Sequence, residues 1–330
     1  MSGRSRLAIV STYDRLCGIA AYTRALVPQL EADFDITVFD LDQRRLRSQN
    51  KAIQHLGDKE IKEIARQLSG FDFVNIQLEY GTLGRSMHQQ LPRLFRLLDA
   101  APFLSVTFHT IARPKHWTVS ETLRSFLQRD MRIALSKLRH ESHERRLGAV
   151  YRRLKRLQAH KPVHLIVHTR ADRQFIEDAF GLQNVHDHPL AFHPAEKAAR
   201  IRAQASRRAF PALNEVPPDA KLIGSFGFLS RQKGIETVIR AVMALPSEFH
   251  LLIFGGLHPN SIPEFNSLDP YIESLIATVG NGGRERVHFM GSLTDGEFEI
   301  GMAICDAIVL PLSPGLTGGR RPGQARPCEI

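Results

Sequence analysis

The sequence predicts an α/β protein with two Rossmann-like domains, each built on a parallel sheet. Three observations support this prediction. Short apolar runs alternate with amphipathic helical runs, a pattern typical of parallel strands whose two faces are covered by helices. The alternation pauses between residues 198 and 220 and then starts over. The chain of 330 residues is also long enough for two domains of ordinary size.

The first domain is predicted to span residues 1–197. Its apolar runs indicate strands and helices that alternate along the chain. The strands are expected at 6–12, 35–41, 71–81, 102–110 and 163–170, and the helices at 20–31, 58–68, 87–101 and 171–180. A linker over 198–220 is indicated by a shift in composition to Arg, Ala, Ser and Pro, with Pro-Pro-Asp near its end.

The second domain is predicted to span residues 221–330. Its strands are expected at 221–230, 249–256, 286–292 and 307–313, and its helices at 234–245, 269–280 and 295–306. In doubly wound sheets, ligands bind at the carboxyl ends of the strands. Functional residues are therefore expected just after strand ends, and two such domains imply a cleft between them.

The net charge indicates what kind of partner the protein binds, and the cysteines indicate the redox state of its compartment. A formal net charge of +10 indicates an anionic partner, such as a nucleotide, a nucleic acid or an acidic lipid headgroup. Cys17, Cys305 and Cys328 are far apart and lack metal-ligand spacing, so a reducing cytoplasm is expected. No apolar run approaches the ~20 residues of a membrane-spanning helix. The N-terminus does not resemble a secretory signal.

Most of the excess charge lies in residues 120–160, a long helical insertion in the first domain. This segment holds eleven Lys and Arg against four Asp and Glu, a net charge of +7. A solvated helix face is one interpretation. The other is a surface that meets anionic membrane on its cytoplasmic face, because basic amphipathic helices bind acidic headgroups. Nucleic-acid binding is disfavoured, since few aromatic residues interleave and no groove-reading motif is present.

Two loops that follow strands have the composition of ligand-binding turns. In GSFGFLSRQKGIETVIRAV, an apolar strand leads through a glycine-containing loop into a helix. Helix starts attract phosphate through their N–H groups and dipole, and Arg231 and Lys233 add charges that suit a diphosphate. A solvated loop with surface cations is the alternative. In STYDRLCGIAAYT, Gly18 lets the backbone approach a ligand, although the GxGxxG dinucleotide fingerprint is absent.

Several stretches together resemble the GT-B glycosyltransferases of retaining family 4. CGIAAYT is similar to the N-terminal loop of the family, and VNIQLEYG resembles a strand end of one bacterial branch. FGFLSRQKGIETVIRAVMAL with FHLLIFGG, and RVHFMGSLTDGEFEIGMAICDAIVLPL, resemble signatures of the nucleotide-sugar-binding domain. The matches run in the order of the family from residue 6 to residue 312.

The resemblance implies a donor site in the second domain. Lys233 is implied to bind the diphosphate of a nucleotide-sugar donor, with Arg231 placed to help. The family usually has an arginine five residues before the lysine, and Phe228 stands there in this chain. Gly18 is implied to let the N-terminal loop approach the donor phosphates.

Other roles fall on strand ends of the first domain. His109 matches a histidine that meets the donor sugar near the reacting centre, so it is the expected catalytic residue. Glu79 ends the neighbouring strand and is expected to face the acceptor. His168, at another strand end, is interpreted as a structural residue.

The resemblance also implies the chemistry. A hexosyl-type sugar moves to a polysaccharide, a lipid-linked or another acceptor with retention of configuration. The leaving diphosphate takes the acceptor proton, and protein cations stabilise its charge. Neither a metal nor a cofactor is expected. Asp40-Leu41-Asp42 matches the letters of a metal-binding DxD motif, but it ends an early strand of the first domain, away from the expected donor site.

The chain departs from the family after AIVLPLSP. The family continues with a loop and a helix whose glutamate holds the donor. Here GLTGGRRPGQARPCEI follows, without apolar periodicity, and Glu329 is wrongly placed to replace that glutamate. A truncated or frame-shifted second domain is therefore expected. The alternative to an active transferase is a non-catalytic remnant of the fold that binds nucleotide or membrane.

Overall fold

The computed structural model describes residues 3–15, 17–113, 147–190, 194–256 and 269–311. The chain divides into two compact units, Met1–Phe192 and His193–Ile330. Each unit contains one sheet, and every strand pair in both sheets is parallel. Helices connect the strands. These features confirm the predicted fold class.

The described residues of the first unit form six strands. They are β1 Ser5–Ser11, β2 Phe34–Asp40, β3 Phe73–Leu78, β4 Leu104–Phe108, β5 Val163–Val167 and β6 Val185–Asp187. In the sheet they lie in the order β2-β1-β3-β4-β5-β6. Residues 7–10 of β1 are all buried, which shows that both faces of the sheet are covered, as is usual for parallel sheets.

The helices of the first unit follow the apolar spacing of the sequence. They are α1 Gly18–Leu30, α2 Gln43–Leu46, α3 Lys51–Leu68, α4 Met87–Ala100, α5 over residues 147–158, and α6 Arg170–Phe180. In α4, Leu91, Leu94 and Leu98 are buried along one stripe. The hydroxyl of Thr169 caps α6, and Gly181 ends it in the left-handed conformation.

The described residues of the second unit form four strands and four helices. The strands are β7 Lys221–Phe226, β8 Phe249–Phe254, β9 Val287–Gly291 and β10 Ala307–Ile308, and the helices are α7 Ala195–Gln204, α8 Ile235–Met243, α9 Pro270–Val279 and α10 Asp295–Ala303. The strand order is β10-β7-β8-β9. Thr294 and Glu297 form a capping box at the start of α10.

The structure adds elements that the sequence pattern did not predict. Strand β6 has three residues and helix α2 has four. Elements this short show no recognisable hydrophobic periodicity in the sequence. The segment predicted as a linker, 198–220, has secondary structure of its own and belongs to the second unit. It contains the end of α7, and its Phe210 and Leu213 are buried in one cluster with Leu222 and Phe254.

Two predicted features lie outside the described residues. One is the larger part of the basic insertion, residues 120–146, and the other is the C-terminal stretch 312–330, which includes Cys328 and Glu329. The described part of the insertion is α5 and the turn after it. Val150, Tyr151 and Leu154 of α5 are fully buried in the core of the first unit. Within the described part of the chain, no helix is long and apolar enough to cross a membrane.

Glycines allow the carboxyl ends of β7 and β8 to lie unusually close together. Gly227 follows β7 with a φ of 120°, and Gly255 follows β8 with a φ of 153°. A Cβ on Gly255 would lie 1.9 Å from the carbonyl oxygen of Gly227, which is closer than atoms can approach. The N–H of Gly227 donates to the carbonyl of Phe254 at 3.0 Å. Only glycine at 255 permits this contact between the two turns.

We expect Gly255→Ala to lower the free energy of unfolding by about 2 kcal/mol or more, because the methyl group adds a backbone clash to a strained positive φ. Gly296→Ala is the matched control, since a Cβ there would have nothing within 4 Å and the residue lies in α10. The control should gain up to about 1 kcal/mol. Denaturant unfolding of the full chain measures both. A Gly255→Ala protein as stable as wild type would contradict the close contact.

Candidate functional site

A row of polar residues lies on one face of the sheet in the first unit, where β3 and β4 end. Alternate residues of a strand share a face, and β3 pairs with β4 so that residue 75 lies opposite residue 105. The polar row consists of Asn75, Gln77 and Glu79 from β3 and its end, with Ser105, Thr107 and His109 from β4 and its end. The predicted residues His109 and Glu79 therefore come from one edge of one sheet.

Hydrogen bonds join this row from the sheet interior to its edge. Asn75 Nδ2 donates to Ser105 Oγ at 2.8 Å and to Thr107 Oγ1 at 3.2 Å. Gln77 Nε2 donates to Asn75 Oδ1 at 2.6 Å, and His109 Nε2 lies 2.7 Å from Gln77 Oε1. Asn75, Gln77 and Thr107 are buried. Because unmade hydrogen bonds are costly in a buried site, each of these groups holds the next in place.

The ring of His109 is enclosed by other rings and is uncharged at neutral pH. Tyr22 of α1 meets it edge-on, with 5.1 Å between ring centroids, and the centroid of His168 lies at 5.3 Å. Burial, and then the charge of His168, lowers the pKa of His109 to about 4. A neutral imidazole has one donor and one acceptor nitrogen. His109 is therefore suited to hydrogen bonding and not to acting as a cation.

Glu79 lies next to this histidine at the strand ends. Its Oε2 accepts a hydrogen bond from Thr110 Oγ1 at 2.6 Å, and Thr110 directly follows His109 in the chain. The backbone carbonyl of Glu79 accepts from the N–H of Thr82 at 3.0 Å, which starts the 3-10 turn Tyr80–Leu83. The carboxylate is only partly buried. The edge of the first sheet thus presents an imidazole, a hydroxyl and a carboxylate together.

Gly18 is the first residue of α1, directly after the loop that follows β1. A Cβ on Gly18 would meet nothing within 4 Å among the described residues, so packing within them does not require a glycine here. Cys17 caps the helix, because its Sγ accepts from the N–H of Ala20 at 3.4 Å. The described residues therefore leave the space beside Gly18 open, and its predicted role stays a prediction.

Lys233 ends a short 3-10 turn at the carboxyl edge of the second sheet. A Cβ on Gly227 would lie 3.5 Å from Lys233 Cε and from its Nζ, so the ammonium group lies over the turn that follows β7. Lys197 and Lys221 each pair with a carboxylate, at 3.2 and 3.7 Å, whereas Lys233 has no such partner in the described part of this unit. Among the described residues, no carboxylate neutralises its charge.

The next residue, Gly234, brings a third strand end to this turn. Gly234 is left-handed, with a φ of 60°, and it precedes the first turn of α8. A Cβ on it would lie 2.6 Å from the carbonyl oxygen of Pro311, which follows β10. The turns after β7, β8 and β10 therefore meet around Lys233 and the start of α8, and the chain is too tightly packed there for side chains on Gly234 and Gly255.

Arg231 is held by an aromatic ring. Its guanidinium lies over Tyr271 of α9, 5.4 Å from the ring centroid. The Tyr271 hydroxyl donates to Glu236 Oε2 at 2.9 Å, and Glu236 lies in the first turn of α8. Arg231 is exposed. Its contribution to a diphosphate site remains a prediction, as does the consequence of Phe228 at the usual arginine position.

The DxD-like stretch has structural partners within the first unit. Asp40 Oδ1 accepts from the N–H of Tyr13 at 2.8 Å. Asp42 caps α2 and pairs with Arg15 at 3.1 Å. Within the described residues, no three His, Cys, Asp or Glu side chains are placed to hold a metal ion.

Sequence reasoning missed the residues that support His109. Gln77, Asn75 and Tyr22 contact it directly or through one hydrogen bond, and none of them was singled out. A signal was present in the sequence: VNIQLEY places polar residues at every second position of a strand that is otherwise apolar. Such residues on a buried face need polar partners from the neighbouring strand, and SVTFH supplies them with the same period.

No protein-family model matches the sequence, and no curated protein matches it. Solved structures do match. The chain is similar to sucrose-phosphate synthase from Thermosynechococcus elongatus, with a TM-score of 0.57 and 17% identity over 94% of this chain and 76% of that chain. It is also similar to OtsA in its apo form, with a TM-score of 0.56 and 12% identity over 93% of this chain and 78% of that chain.

A third structure in this group contains bound ligands. HepE from Anabaena, in complex with UDP and glucose, has a TM-score of 0.51 and 14% identity over 92% of this chain and 73% of that chain. These solved structures are GT-B glycosyltransferases, so the chain has a GT-B-type fold. At such identities the similarity establishes the fold alone.

We expect His109→Gln to reduce the loss of stability as pH falls from 6.5 to about 4. In this window an unfolded histidine takes up a proton, whereas folded His109, with its pKa of about 4, stays neutral. The unfolded state therefore binds more protons, and the stability that is fully present above pH 6.5 is lost as pH falls. Denaturant unfolding at several pH values measures the slope.

His55→Gln, which changes an exposed histidine of α3, is the control and should keep the wild-type slope. Part of the slope should persist in His109→Gln, because burial also lowers the pKa values of His250 and His288. Identical slopes for His109→Gln and wild type would show that His109 is not held neutral in the folded protein.

Proposed function

We propose that this protein is a glycosyltransferase that moves a sugar from a nucleotide-sugar donor to an acceptor, with retention of configuration. The observation that carries the proposal is the edge of the second sheet. There, close-packed glycine turns and the ammonium of Lys233, which has no carboxylate partner in the described part of the unit, surround the start of α8, on a GT-B-type fold. HepE, which shares this fold, is seen with UDP and glucose.

The donor diphosphate is proposed to bind at Lys233. Its ammonium lies over the turn after β7 and has no carboxylate partner among the described residues of the unit. A phosphate at this place would also meet the N-terminal turn of α8, where N–H groups and the helix dipole favour negative charge. Arg231 stands two residues earlier and is exposed, so it can approach a diphosphate from the same turn. Gly18 is proposed to admit the donor on the side of α1.

The reacting groups are proposed to lie at the edge of the first sheet. His109 is neutral and therefore suits a hydrogen bond to an uncharged sugar, while Glu79 with Thr110 suits acceptor hydroxyls. In the retaining route, the leaving diphosphate takes the acceptor proton, so the protein needs no strong base of its own. Cations such as Lys233 then stabilise the charge that develops on the diphosphate.

The acceptor is proposed to be a polysaccharide or a lipid-linked sugar, with the basic segment directing the protein to an anionic membrane surface. The described end of this segment supports the idea in one respect: Arg152, Lys155 and Arg156 of α5 are exposed. Arg153 is engaged with Asp99, and the apolar side of α5 packs in the core. Any membrane contact by α5 is therefore electrostatic, without insertion of these apolar residues.

The second function class is a protein that binds nucleotide without transferring sugar. Release of UDP from UDP-glucose, measured with and without an added oligosaccharide acceptor, separates the two classes. Acceptor-dependent release of UDP by the wild-type protein that is faster than release by His109→Gln supports the transferase. Tight UDP binding together with no turnover of any nucleotide-sugar would favour the non-catalytic alternative.

We expect Lys233→Ala to weaken the binding of UDP or GDP by about 1.5–3 kcal/mol, the range for a charge-assisted hydrogen bond. Lys221→Ala is the matched control, because Lys221 begins β7, the strand that precedes the Lys233 turn, and so lies at the opposite edge of the sheet. Its exposed ion pair with Asp306 contributes little, so the control should bind like wild type. Isothermal titration measures the affinity of all three proteins for UDP and GDP. If Lys233→Ala binds as tightly as wild type, Lys233 does not contact the diphosphate.

We expect the double change Arg152→Gln and Arg156→Gln to weaken binding to vesicles that contain acidic lipids. Each cation near such a surface contributes about 1 kcal/mol at low salt, and ionic screening reduces this as salt rises. The control carries Arg44→Gln and Lys51→Gln, two exposed cations elsewhere in the first unit, with the same loss of charge. Co-sedimentation with acidic and neutral vesicles is the measurement. Equal binding to acidic and neutral vesicles would contradict the membrane proposal and favour the alternative, in which α5 is a solvated helix.

A further inference from the structure

We propose that Gln77 and Asn75 are positioning residues that fix the tautomer of His109, so that Nε2 carries the proton and Nδ1 presents a lone pair. The contact that carries this inference is the hydrogen bond between His109 Nε2 and Gln77 Oε1, at 2.7 Å. An amide oxygen only accepts hydrogen bonds. The nitrogen that faces it must therefore be the one that bears hydrogen.

The orientation of Gln77 is set by the next residue in the row. Its Nε2 donates to Asn75 Oδ1 at 2.6 Å, which leaves its Oε1 turned toward His109. Gln77 is 2% exposed, so water cannot replace either contact without cost. The side-chain amide thus acts as a fixed link with a donor end toward the sheet and an acceptor end toward the imidazole.

The orientation of Asn75 is set in turn by β4. Its Nδ2 contacts two hydroxyls, Ser105 Oγ and Thr107 Oγ1. The Ser105 oxygen also lies 3.5 Å from the backbone carbonyl of Val74. With the Asn75 NH₂ facing the two hydroxyls, the Ser105 oxygen accepts from the amide and its own proton can point toward that carbonyl. Reversing both amides would give up this arrangement, because the Ser105 hydroxyl would then have to donate to Asn75.

The consequence for substrate recognition concerns Nδ1. In the described residues, this nitrogen has no hydrogen-bond partner, while Nε2 is occupied by Gln77. A neutral ring with a free lone pair at Nδ1 accepts a hydrogen bond and offers none there. The group that meets His109 should accordingly be a hydrogen-bond donor, such as a sugar hydroxyl, and not a phosphate or carboxylate oxygen. This consequence rests on the proposed function, but the tautomer itself does not.

The tautomer can be measured without substrate. In the full chain labelled with ¹⁵N-histidine, long-range ¹H–¹⁵N correlation distinguishes a protonated ring nitrogen from an unprotonated one. The His109 signals are assigned by their loss in His109→Gln. The expected result is a neutral ring with its proton on Nε2 from pH 7 down to pH 5. A ring with its proton on Nδ1, or a charged ring at pH 7, would overturn the proposal.

A substitution tests whether Gln77 causes this state. Gln77→Glu places a carboxylate beside Nε2, which favours the charged imidazole, so the pKa of His109 should rise by at least one pH unit in the same spectra. Gln90→Glu is the control. Gln90 is also buried, on α4, but its Nε2 donates to the carbonyl of Gly84, so this change should leave the His109 pKa unchanged. If Gln77→Glu does not fold, Asn75→Leu should loosen the tautomer preference instead.

The outcomes separate this inference from the proposed function. A fixed Nε2–H tautomer that shifts with Gln77→Glu supports the positioning role even in a protein that transfers no sugar. An unchanged His109 pKa in a folded Gln77→Glu protein refutes it even if the enzyme is active. If the protein transfers sugar, the pH dependence of kcat in Gln77→Glu should shift in the same direction as the His109 pKa. A purely structural role of Gln77 would not cause this shift.

Discussion

Parallel strand pairing is the constraint on which the rest of this molecule depends. In each unit it places the carboxyl ends of all strands at one edge of the sheet. Residues that are distant in sequence therefore lie close together there. His109 and Glu79 are thirty residues apart yet follow neighbouring strands. Gly234 and Pro311, which follow β7 and β10, meet in the same way. We propose sites at these edges in both units, because ligands of doubly wound folds bind outside the carboxyl ends of the strands.

The two edges are made rigid by different means. In the first unit, rigidity comes from buried hydrogen bonds: the row from Ser105 to His109 has polar atoms paired at 2.6–3.2 Å. In the second unit, rigidity comes from the absence of side chains, since Gly255 and Gly227 bring backbone against backbone. The first device suits recognition of uncharged hydroxyls. The second brings a cation and the N-terminal turn of α8 to the same edge, which suits a phosphate.

The fold was largely predictable and the site only in part. Strands such as β1 and β8 are continuous apolar runs, and burial on both faces follows directly from that pattern. Short elements such as α2 carry too few residues to show a period. The candidate residues His109 and Lys233 could be chosen from the sequence because their position after strands is visible there, and their roles stay predictions. Gln77 was missed because its role depends on register with β4, which a single sequence does not display.

The central claim is that a nucleotide diphosphate binds at the carboxyl edge of the second sheet, and hydrogen–deuterium exchange with and without UDP tests it most directly. The account predicts slower amide exchange in peptides that cover residues 227–237 and 255–256, where the turns after β7 and β8 meet the start of α8. Peptides at the amino ends of β7 and β8 should exchange at the same rate in both samples. Protection confined to those amino ends, or no protection at saturating UDP, would contradict the claim.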